Sequence, residues 1–432
     1  MQFHDGPLIL STSIFQGQKM TRKPLHFGRY DYASYSAFTM YSICSLAIPL
    51  MIVTMGKDLG FPLDKGGMSY GGLLHAVRSA LIIVALLTCS LIAAKIGKRL
   101  SMGLCVLIFG TGITACAFTT SYWMLLSCLI FIGFGEGICE GLATPFIQDL
   151  HTDEPERYVN IGHAFWSVGI VGAVLFASGL LALGVSWRYI LGGIGVLSII
   201  SSLFFLWKEN PEKKYPESQE QPDLKLIWEQ TLLILKQKSF WRCCGAMFFG
   251  AGAEFGLTFW SAAYIELTYK TSVFVAGLGT GAIAVGMFIG RTGYGYIAKP
   301  HNLRYINFFS GIATIPLTLL LVALKPGLLP VWATFTVLFI LLLLCGIGIA
   351  PFWPTTQVYG VQKMPHCDST LLYVYFSAMG VPGCGFFTWL MGYMGDKLGD
   401  LRATILVVPC SLLIFLAFTY YECWIRGDKK KC

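Results

Sequence analysis

Long apolar runs alternate with short polar connections along most of the 432-residue chain. A helix that spans a bilayer needs about 20 consecutive, mostly apolar residues. Helices are expected because every backbone polar group must be hydrogen-bonded internally inside the bilayer. The pattern predicts twelve of them, at residues 33–56, 70–94, 100–118, 122–147, 161–184, 187–207, 241–265, 274–298, 304–324, 329–359, 370–393 and 402–424.

One long polar connection, residues 208–240, divides these runs into two sets of six. It is rich in Pro, Glu and Lys, which is typical of a linker. We therefore predict an all-α membrane protein built from two six-helix bundles, 33–207 and 241–424. Residues 224–241 have helical spacing and predict an amphipathic helix on the cytoplasmic face.

Composition and charge support this prediction and give an orientation. The chain is 55% hydrophobic and 12% charged, with a mean hydropathy of +0.65, whereas soluble domains carry about 25% charged residues. Of 31 Lys and Arg residues, 23 fall on one side of the predicted helices, 7 on the other, and Arg78 lies within the membrane. The positive-inside rule then predicts a multi-pass protein of the inner (cytoplasmic) membrane, with segments 1–32 and 425–432 both cytoplasmic.

Other classes of function lack support in the sequence. The net charge of +8 lies in loops, and no aromatic–basic patch or zinc-ligand spacing indicates nucleic-acid binding. The 14 cysteines form no C-x-x-C pair and most lie in apolar runs, so we expect small apolar fillers, no metal site and no cofactor. The sequence contains no Ser/His/Asp set and no phosphate-binding loop that would indicate an enzyme. We expect a monomer, and Met20 is an alternative start.

Two acids lie within the fourth predicted helix. Glu136 and Glu140 are four residues apart and therefore share one face. Two acids so close resist joint ionisation, so one of them is a candidate proton carrier. The alternative is that both form structural ion pairs, one of them with Arg78.

His75 and Arg78 share a face of the second predicted helix. Arg78 either balances a glutamate or holds an anionic substrate by paired hydrogen bonds. His75 is either a hydrogen-bonded packing residue or a proton relay. Both are candidate substrate-binding residues, because charged and polar groups inside a membrane usually face a cavity or a partner.

The fourth and tenth predicted helices are both interrupted by Gly and Pro, in "GFGEGICEGLATPF" and "CGIGIAPFWPTTQ". Broken segments at matching positions of two halves indicate a central binding site. Glu254, in the seventh predicted helix, is a candidate to line the same cavity. Aromatic side chains near these breaks either stack on a sugar ring or pack between helices, and the candidates for binding there are Trp260, Trp353 and Gln357.

Two turns combine Gly with basic residues at matching places in the halves, "AAKIGKRL" and "GRTGYGYIAKPHNLR". They resemble the cytoplasmic loop motif of the major facilitator superfamily, with Ala94 at its usual acidic position. The resemblance implies a gating role, with Arg291 locking the halves through salt bridges. The candidate gating residues are Lys95, Lys98, Arg99 and Arg291.

Four longer segments resemble the fucose–galactose–glucose:proton symporter family of that superfamily: "CEGLATPF", "ERYVNIGHAFWSVGIVGAV", "GAEFGLTFWSAAYIE" and "GIGIAPFWPTTQ". The resemblance implies that Glu140 is the acid that couples protons. It also places Asn160 and His163 at polar positions of the fifth helix that bind substrate. The chain departs from the family in its first helix, "FTMYSICSLAIPLMIVTM", which lacks the acid found there.

These features together predict a secondary active transporter that works by alternating access. Its partners are the lipid bilayer, protons and a small molecule, and we expect uptake of a sugar or a similar small polar solute. The alternative is an exporter of a drug, siderophore or metabolite, or a carrier of an organic anion. Many drug exporters have a Gly-Pro pair in the fifth helix, and "GIVGAVLFASG" has none.

Overall fold

The structure is a computed structural model that describes residues 25–153, 155–208, 214–217, 224–298 and 301–422. Within these residues the chain forms helices and no strand, which confirms the all-α prediction. Glycine, serine and threonine interrupt the apolar runs, and they let the helices approach one another closely.

The first half contains six long helices. They are α1 (Arg29–Asp58), α2 (Met68–Ile96), α3 (Lys98–Cys116), α4 (Tyr122–Leu150), α5 (Pro155–Ala173) and α6 (Trp187–Leu206). The axis of α5 continues beyond Ala173 through a π-helical turn and a last short α-helical turn, Val174–Ser178 and Gly179–Ala182. The linker helix α7 (Leu224–Leu235) follows, close to its predicted place.

The second half contains six more long helices. They are α8 (Lys238–Tyr269), α9 (Val273–Ile297), α10 (Leu303–Ala323), α11 (Val331–Ile349, resuming as Phe352–Lys363), α12 (Ser369–Leu398) and α13 (Leu401–Thr404, resuming as Val407–Tyr420). The break in α11 lies inside the predicted Gly- and Pro-rich interruption. The matching interruption predicted for α4 is wrong, because α4 runs unbroken through Pro145.

Eleven membrane-spanning candidates among the described residues are both long and apolar enough to cross a bilayer. The twelfth predicted span corresponds to α8, which has 32 residues but a lower hydropathy. Helix α8 packs against α12, α13, α9 and α1, so protein rather than lipid surrounds much of it. This environment tolerates its small and polar residues.

The helices pack extensively within each half, and the halves meet mainly along two seams. Within the first half α3 packs on α6 and α4, and α1 packs on α5; within the second half α9 packs on α11, and α8 packs on α12 and α13. Between the halves, α2 packs along α12 and the π-helical end of α5 packs on α9. The space between the halves is therefore flanked by these contacts on both sides.

One end of the bundle carries α7 and both described chain ends, and we call it the linker end; the opposite end is the distal end. The halves touch closely at the distal end, where a Cβ added to Gly72 would lie 2.7 Å from the Thr388 carbonyl oxygen. Similarly, a Cβ on Gly277 would lie 2.4 Å from Oγ of Ser178. We call this packed region the distal closure.

The linker end is open between the halves. Among the described residues α4 packs extensively only on helices of its own half, and so does the second segment of α11. His163 on α5 and Tyr373 on α12 are exposed on the linker side. A cavity between the halves therefore opens towards the linker end and is closed at the distal end.

Candidate functional site

A buried ion pair joins α2 and α4. The Arg78 Nε donates to Glu136 Oε2 at 2.6 Å, and Nη2 of the same guanidinium donates to Glu136 Oε1. Arg78 Nη1 also donates to the Ser45 carbonyl oxygen of α1 at 3.2 Å. Arg78 is 2% exposed and Glu136 is fully buried. Of the two roles predicted for Arg78, this geometry matches the balancing of a glutamate and leaves the guanidinium no surface for a solute in this conformation.

Glu140 lies one turn closer to the linker end than Glu136, and its surroundings differ. It is half-buried and accepts a hydrogen bond from the Tyr41 hydroxyl of α1. The guanidinium of Arg291, from α9 in the second half, is close enough to act on it electrostatically. The two acids that share a face of α4 are therefore separated into one paired residue and one cavity residue.

Arg291 and Glu254 form the second ion pair of the site. Arg291 Nη2 donates to Glu254 Oε1 at 3.1 Å, so α9 is joined to α8 within the second half. The other carboxylate oxygen of Glu254 and the Nε of Arg291 are buried and have no hydrogen-bond partner among the described residues. Arg291 was predicted near the inner end of the eighth span, and it lies inside α9. Its ion pair with Glu254 stays within its own half, so the locking of the two halves by Arg291 remains a prediction.

His163 lies on α5 and faces the cavity. Its Nε2 is 3.2 Å from Oγ1 of Thr144 on α4, and its ring packs against Phe38 with centroids 5.0 Å apart. The charge of Arg291 also acts on His163 across the space between the halves. Asn160 lies one turn earlier on α5, and its side chain is outside the described part of the structure.

His75 lies in the seam between the halves rather than beside the acids. It is 4% exposed, and its ring stacks on Phe255 of α8 with centroids 5.0 Å apart and planes 11° apart. Neither ring nitrogen has a hydrogen-bond partner among the described residues. The aromatic stack indicates a packing role in this conformation.

The three remaining substrate-binding candidates divide between the two ends. Trp260 is 1% exposed, and its indole N–H donates to the Thr388 carbonyl oxygen at 2.9 Å within the distal closure. Trp353 and Gln357 lie in the second segment of α11, and Gln357 Nε2 donates to Ser377 Oγ at 2.9 Å. Only the last two lie on the linker side of the α11 break, where the cavity opens.

The basic residues between α2 and α3 hold the linker against the first half. Lys98 Nζ pairs with Asp149 of α4 at 2.6 Å. The backbone N–H groups of Lys98 and Arg99 donate to the Glu217 carboxylate at 2.8 and 3.0 Å. Lys95 is exposed at the end of α2. In this conformation these contacts stay between the first half and the linker, so the gating role of the three basic residues remains a prediction.

Sequence reasoning missed Tyr41, which lies beside Glu140. Tyr41 is 7% exposed and packs edge-on against Trp166 of α5 with centroids 4.6 Å apart. The available signal was the aromatic spacing of the first helix, "RYDYASYSAFTMY", which carries hydroxyls at helical intervals. Helix α1 has no acid at the level of Tyr41, and the Tyr41 hydroxyl supplies the polar contact of this helix with Glu140.

A family model described as "Major Facilitator Superfamily" matches residues 33–381. The chain belongs to this superfamily. The predicted transporter is therefore confirmed at the level of the superfamily, whose fold matches the helical halves described above.

Among curated relatives of this major facilitator chain is the "Probable sphingolipid transporter spinster homolog 3" of Arabidopsis thaliana. It is 27% identical over 135 residues, which is 31% of this chain and 26% of the relative. The match thus spans about a quarter of that relative's length.

Solved structures share the fold over most of the chain. A bacterial homologue of the human lysosomal transporter Spinster, in an inward-facing and unoccupied conformation, matches with a TM-score of 0.68 and 17% identity, covering 91% of this chain and 96% of that one. The E. coli fucose:proton symporter matches with a TM-score of 0.63 and 16% identity, covering 91% and 99%. Identities this low establish the fold alone.

Proposed function

We propose that this major facilitator transporter couples the movement of a sugar or a similar small polar solute to the movement of protons by alternating access. The solute binds between the halves, and the halves rock around it. Polar groups of the linker-side cavity, including Gln357 and His163, supply hydrogen bonds for such a solute. Trp353 supplies an aromatic surface for it.

The observation that carries this proposal is the position of Glu140. It accepts a hydrogen bond from Tyr41 of the first half and faces the charge of Arg291 in the second half. When Glu140 is ionised, it attracts Arg291 and draws the halves together on the linker side. Protonation removes this attraction, so it shifts the equilibrium between the two conformations.

The orientation follows from the same proposal. The excess of Lys and Arg on the linker side supports a cytoplasmic location for that side, and the cavity described above would then face inward. We propose a monomer in the cytoplasmic membrane, with both termini cytoplasmic and uptake as the direction of transport.

An exporter is the second candidate, and it would carry a different class of solute. A curated relative is named a probable sphingolipid transporter, which supports a lipid-like solute as the cargo of such an exporter. An exporter with the same Glu140 would exchange protons for solute, so the sign of the proton movement separates the two candidates.

The test is the external pH of lightly buffered cells that express the protein, recorded after pulses of individual sugars. Proton-coupled uptake predicts a transient alkalinisation with at least one solute and none in cells without the protein. Outward movement of a preloaded solute tests the same sign in reverse, because a symporter would then acidify the medium and an exporter that exchanges protons for solute would alkalinise it. Solute entry without any alkalinisation would overturn the proton coupling.

A further inference from the structure

The two ion pairs of the site differ in how completely they are hydrogen-bonded. Arg78 contacts both oxygens of Glu136, and the pair is almost fully buried. Arg291 contacts one oxygen of Glu254, and its side chain remains 27% exposed. The first pair is bidentate and closed, whereas the second leaves one carboxylate oxygen and one guanidinium nitrogen without a partner among the described residues.

The free groups of the second pair are one acceptor and one donor. Glu254 Oε2 is buried and unpartnered among the described residues, and the Glu254 side chain is only 7% exposed. Arg291 Nε is buried and unpartnered as well. A buried polar group without a partner costs free energy, and a ligand that supplies a donor and a neighbouring acceptor would satisfy both.

The charge of the cavity selects the kind of donor. Arg78 and Glu136 neutralise each other, which leaves two carboxylates, Glu140 and Glu254, around the single guanidinium of Arg291. His163 adds an imidazole beside Thr144 of α4. Both carboxylates lie near the Arg291 guanidinium, which pairs with Glu254 and acts on Glu140 across this space between the halves. With both acids ionised, this space carries an excess negative charge and attracts a cation.

We propose that Glu254 binds a protonated amine of the transported solute. The ammonium group donates to Glu254 Oε2, and a hydroxyl or carbonyl oxygen next to the amine accepts from Arg291 Nε. Glu140 adds a second negative charge from the opposite half. This inference rests on the proposed transport function and deepens it, because it assigns the solute to the class of amines with a neighbouring neutral oxygen.

The same arrangement disfavours an anionic solute. The Arg78 guanidinium is held by Glu136 and buried, and Arg291 is already paired with Glu254. An anion would meet two carboxylates and no unpaired guanidinium among the described residues of the site. The organic-anion carrier therefore fits this cavity less well than an amine carrier.

The experiment is ligand binding to the purified full-length protein in detergent, measured by thermal stabilisation and by titration calorimetry. The probes are glucosamine and 2-amino-1-octanol, each compared with its N-acetyl derivative, which keeps the skeleton and removes the charge. We expect at least one amine to bind about ten-fold or more tightly than its amide, a difference typical of one charged hydrogen bond.

Two variants assign the effect to Glu254. Glu254→Gln keeps the size of the side chain and should remove the preference for the amine, whereas Glu254→Asp should keep part of it. Glu266→Gln, which removes an acid from the same helix near the distal end, is the matched control and should bind like the wild type. Equal binding of amines and amides, no binding of either amine, or a preference that survives in Glu254→Gln would each overturn the proposal.

The binding assay uses no proton gradient, so it separates this inference from the proposed coupling. A preference for amines without proton movement in cells would leave the amine site standing and remove proton coupling. Alkalinisation driven by a neutral sugar, with no preference for amines in detergent, would give the opposite result.

Discussion

Asp396, near the distal end of α12, caps the first turn of α2 at Ser69. Its Oδ2 accepts a hydrogen bond from the Ser69 backbone N–H at 2.8 Å and another from the Ser69 hydroxyl, while Oδ1 accepts from the Met68 N–H at 2.9 Å. A carboxylate is favoured at a helix N-terminus, where backbone N–H groups lack partners. Because the acid belongs to the second half and the helix to the first, the cap exists only while the distal closure is intact.

Asp396→Asn should loosen the distal closure, because the amide keeps the size of the side chain but loses its charge. We expect a loss of about 1–2 kcal/mol, or a factor of about 5–30 in the balance between conformations. Hydrogen–deuterium exchange of peptides from the first turn of α2 and from the distal part of α12 should be faster in the variant.

Asp400→Asn is the control for this prediction. Asp400 caps the start of α13 inside its own half, since its Oδ1 accepts from the Arg402 N–H at 2.8 Å. This variant should speed exchange at α13 and leave α2 unchanged. If both variants altered α2 equally, the effect would be a general loss of stability and not the opening of a contact between the halves.

The Arg78–Glu136 pair should be required for stability. Removal of one partner leaves a buried, unpaired charge, so Arg78→Met alone or Glu136→Leu alone should cost about 3–5 kcal/mol. The double variant should recover much of this loss, because two apolar side chains can fill the site. Thermal unfolding of the purified proteins measures the effect, and a double variant no better than the sum of the singles would contradict it.

Glu140→Gln should abolish proton-driven accumulation of solute while sparing exchange of solute across the membrane, since exchange needs no net movement of protons. Counterflow in proteoliposomes measures exchange, and uptake under a pH gradient measures accumulation. Glu266→Gln serves as the control with both activities intact. Loss of both activities in Glu140→Gln would instead assign a binding or structural role to this acid.

Glu422 should make the stability of the second half depend on pH. It lies beyond the end of α13, where Arg242 pairs with it and the Tyr359 hydroxyl donates to its Oε2 at 2.7 Å. Burial acts to raise the pKa of Glu422, but these hydrogen bonds and the charges of Arg242 and Lys363 outweigh it, so the pKa is lowered.

A lowered pKa fixes the direction of the pH effect. The stabilisation is complete above the pKa of the unfolded chain, about 4.3 for Glu, and is lost as the pH falls through the lower pKa of the folded state. Glu422→Gln should therefore reduce the free energy of unfolding by about 1–2 kcal/mol at neutral pH, which thermal unfolding would show as a lower Tm. The difference in Tm between the variant and the wild type should shrink below about pH 4. Glu229→Gln on the exposed face of α7 is the control, and a constant difference at all pH values would refute the linkage.

The helices could be predicted from the sequence because a bilayer imposes one length and one polarity on each span. The pairing of charges could not, because helical spacing alone places Glu136 and Glu140 equally close to α2. The close packing of α4 on α2 decides which acid meets Arg78. A Cβ atom added to Gly133 would lie 2.5 Å from the Arg78 carbonyl oxygen, and a Cβ atom added to Gly137 would lie 2.3 Å from the Ile82 carbonyl oxygen. These contacts set the register of α4 on α2 and bring Glu136 to Arg78.

Contacts between residues far apart in the chain could likewise not be predicted from the sequence. Asp396 lies 327 positions after Ser69, and nothing in the local sequence indicates that one caps the other. The same holds for the pairing of Arg291 with Glu254, which are 37 positions apart. Such pairings depend on how the helices pack against one another. The hydrophobic pattern of a single helix carries no information about this packing.

The low hydropathy of α8 has a consequence for biogenesis. A charged group near the middle of a span costs a few kcal/mol during insertion, and α8 carries Glu254 among many small residues. We therefore expect α8 to enter the bilayer less efficiently alone than together with a neighbour such as α9, whose Arg291 pairs with this acid.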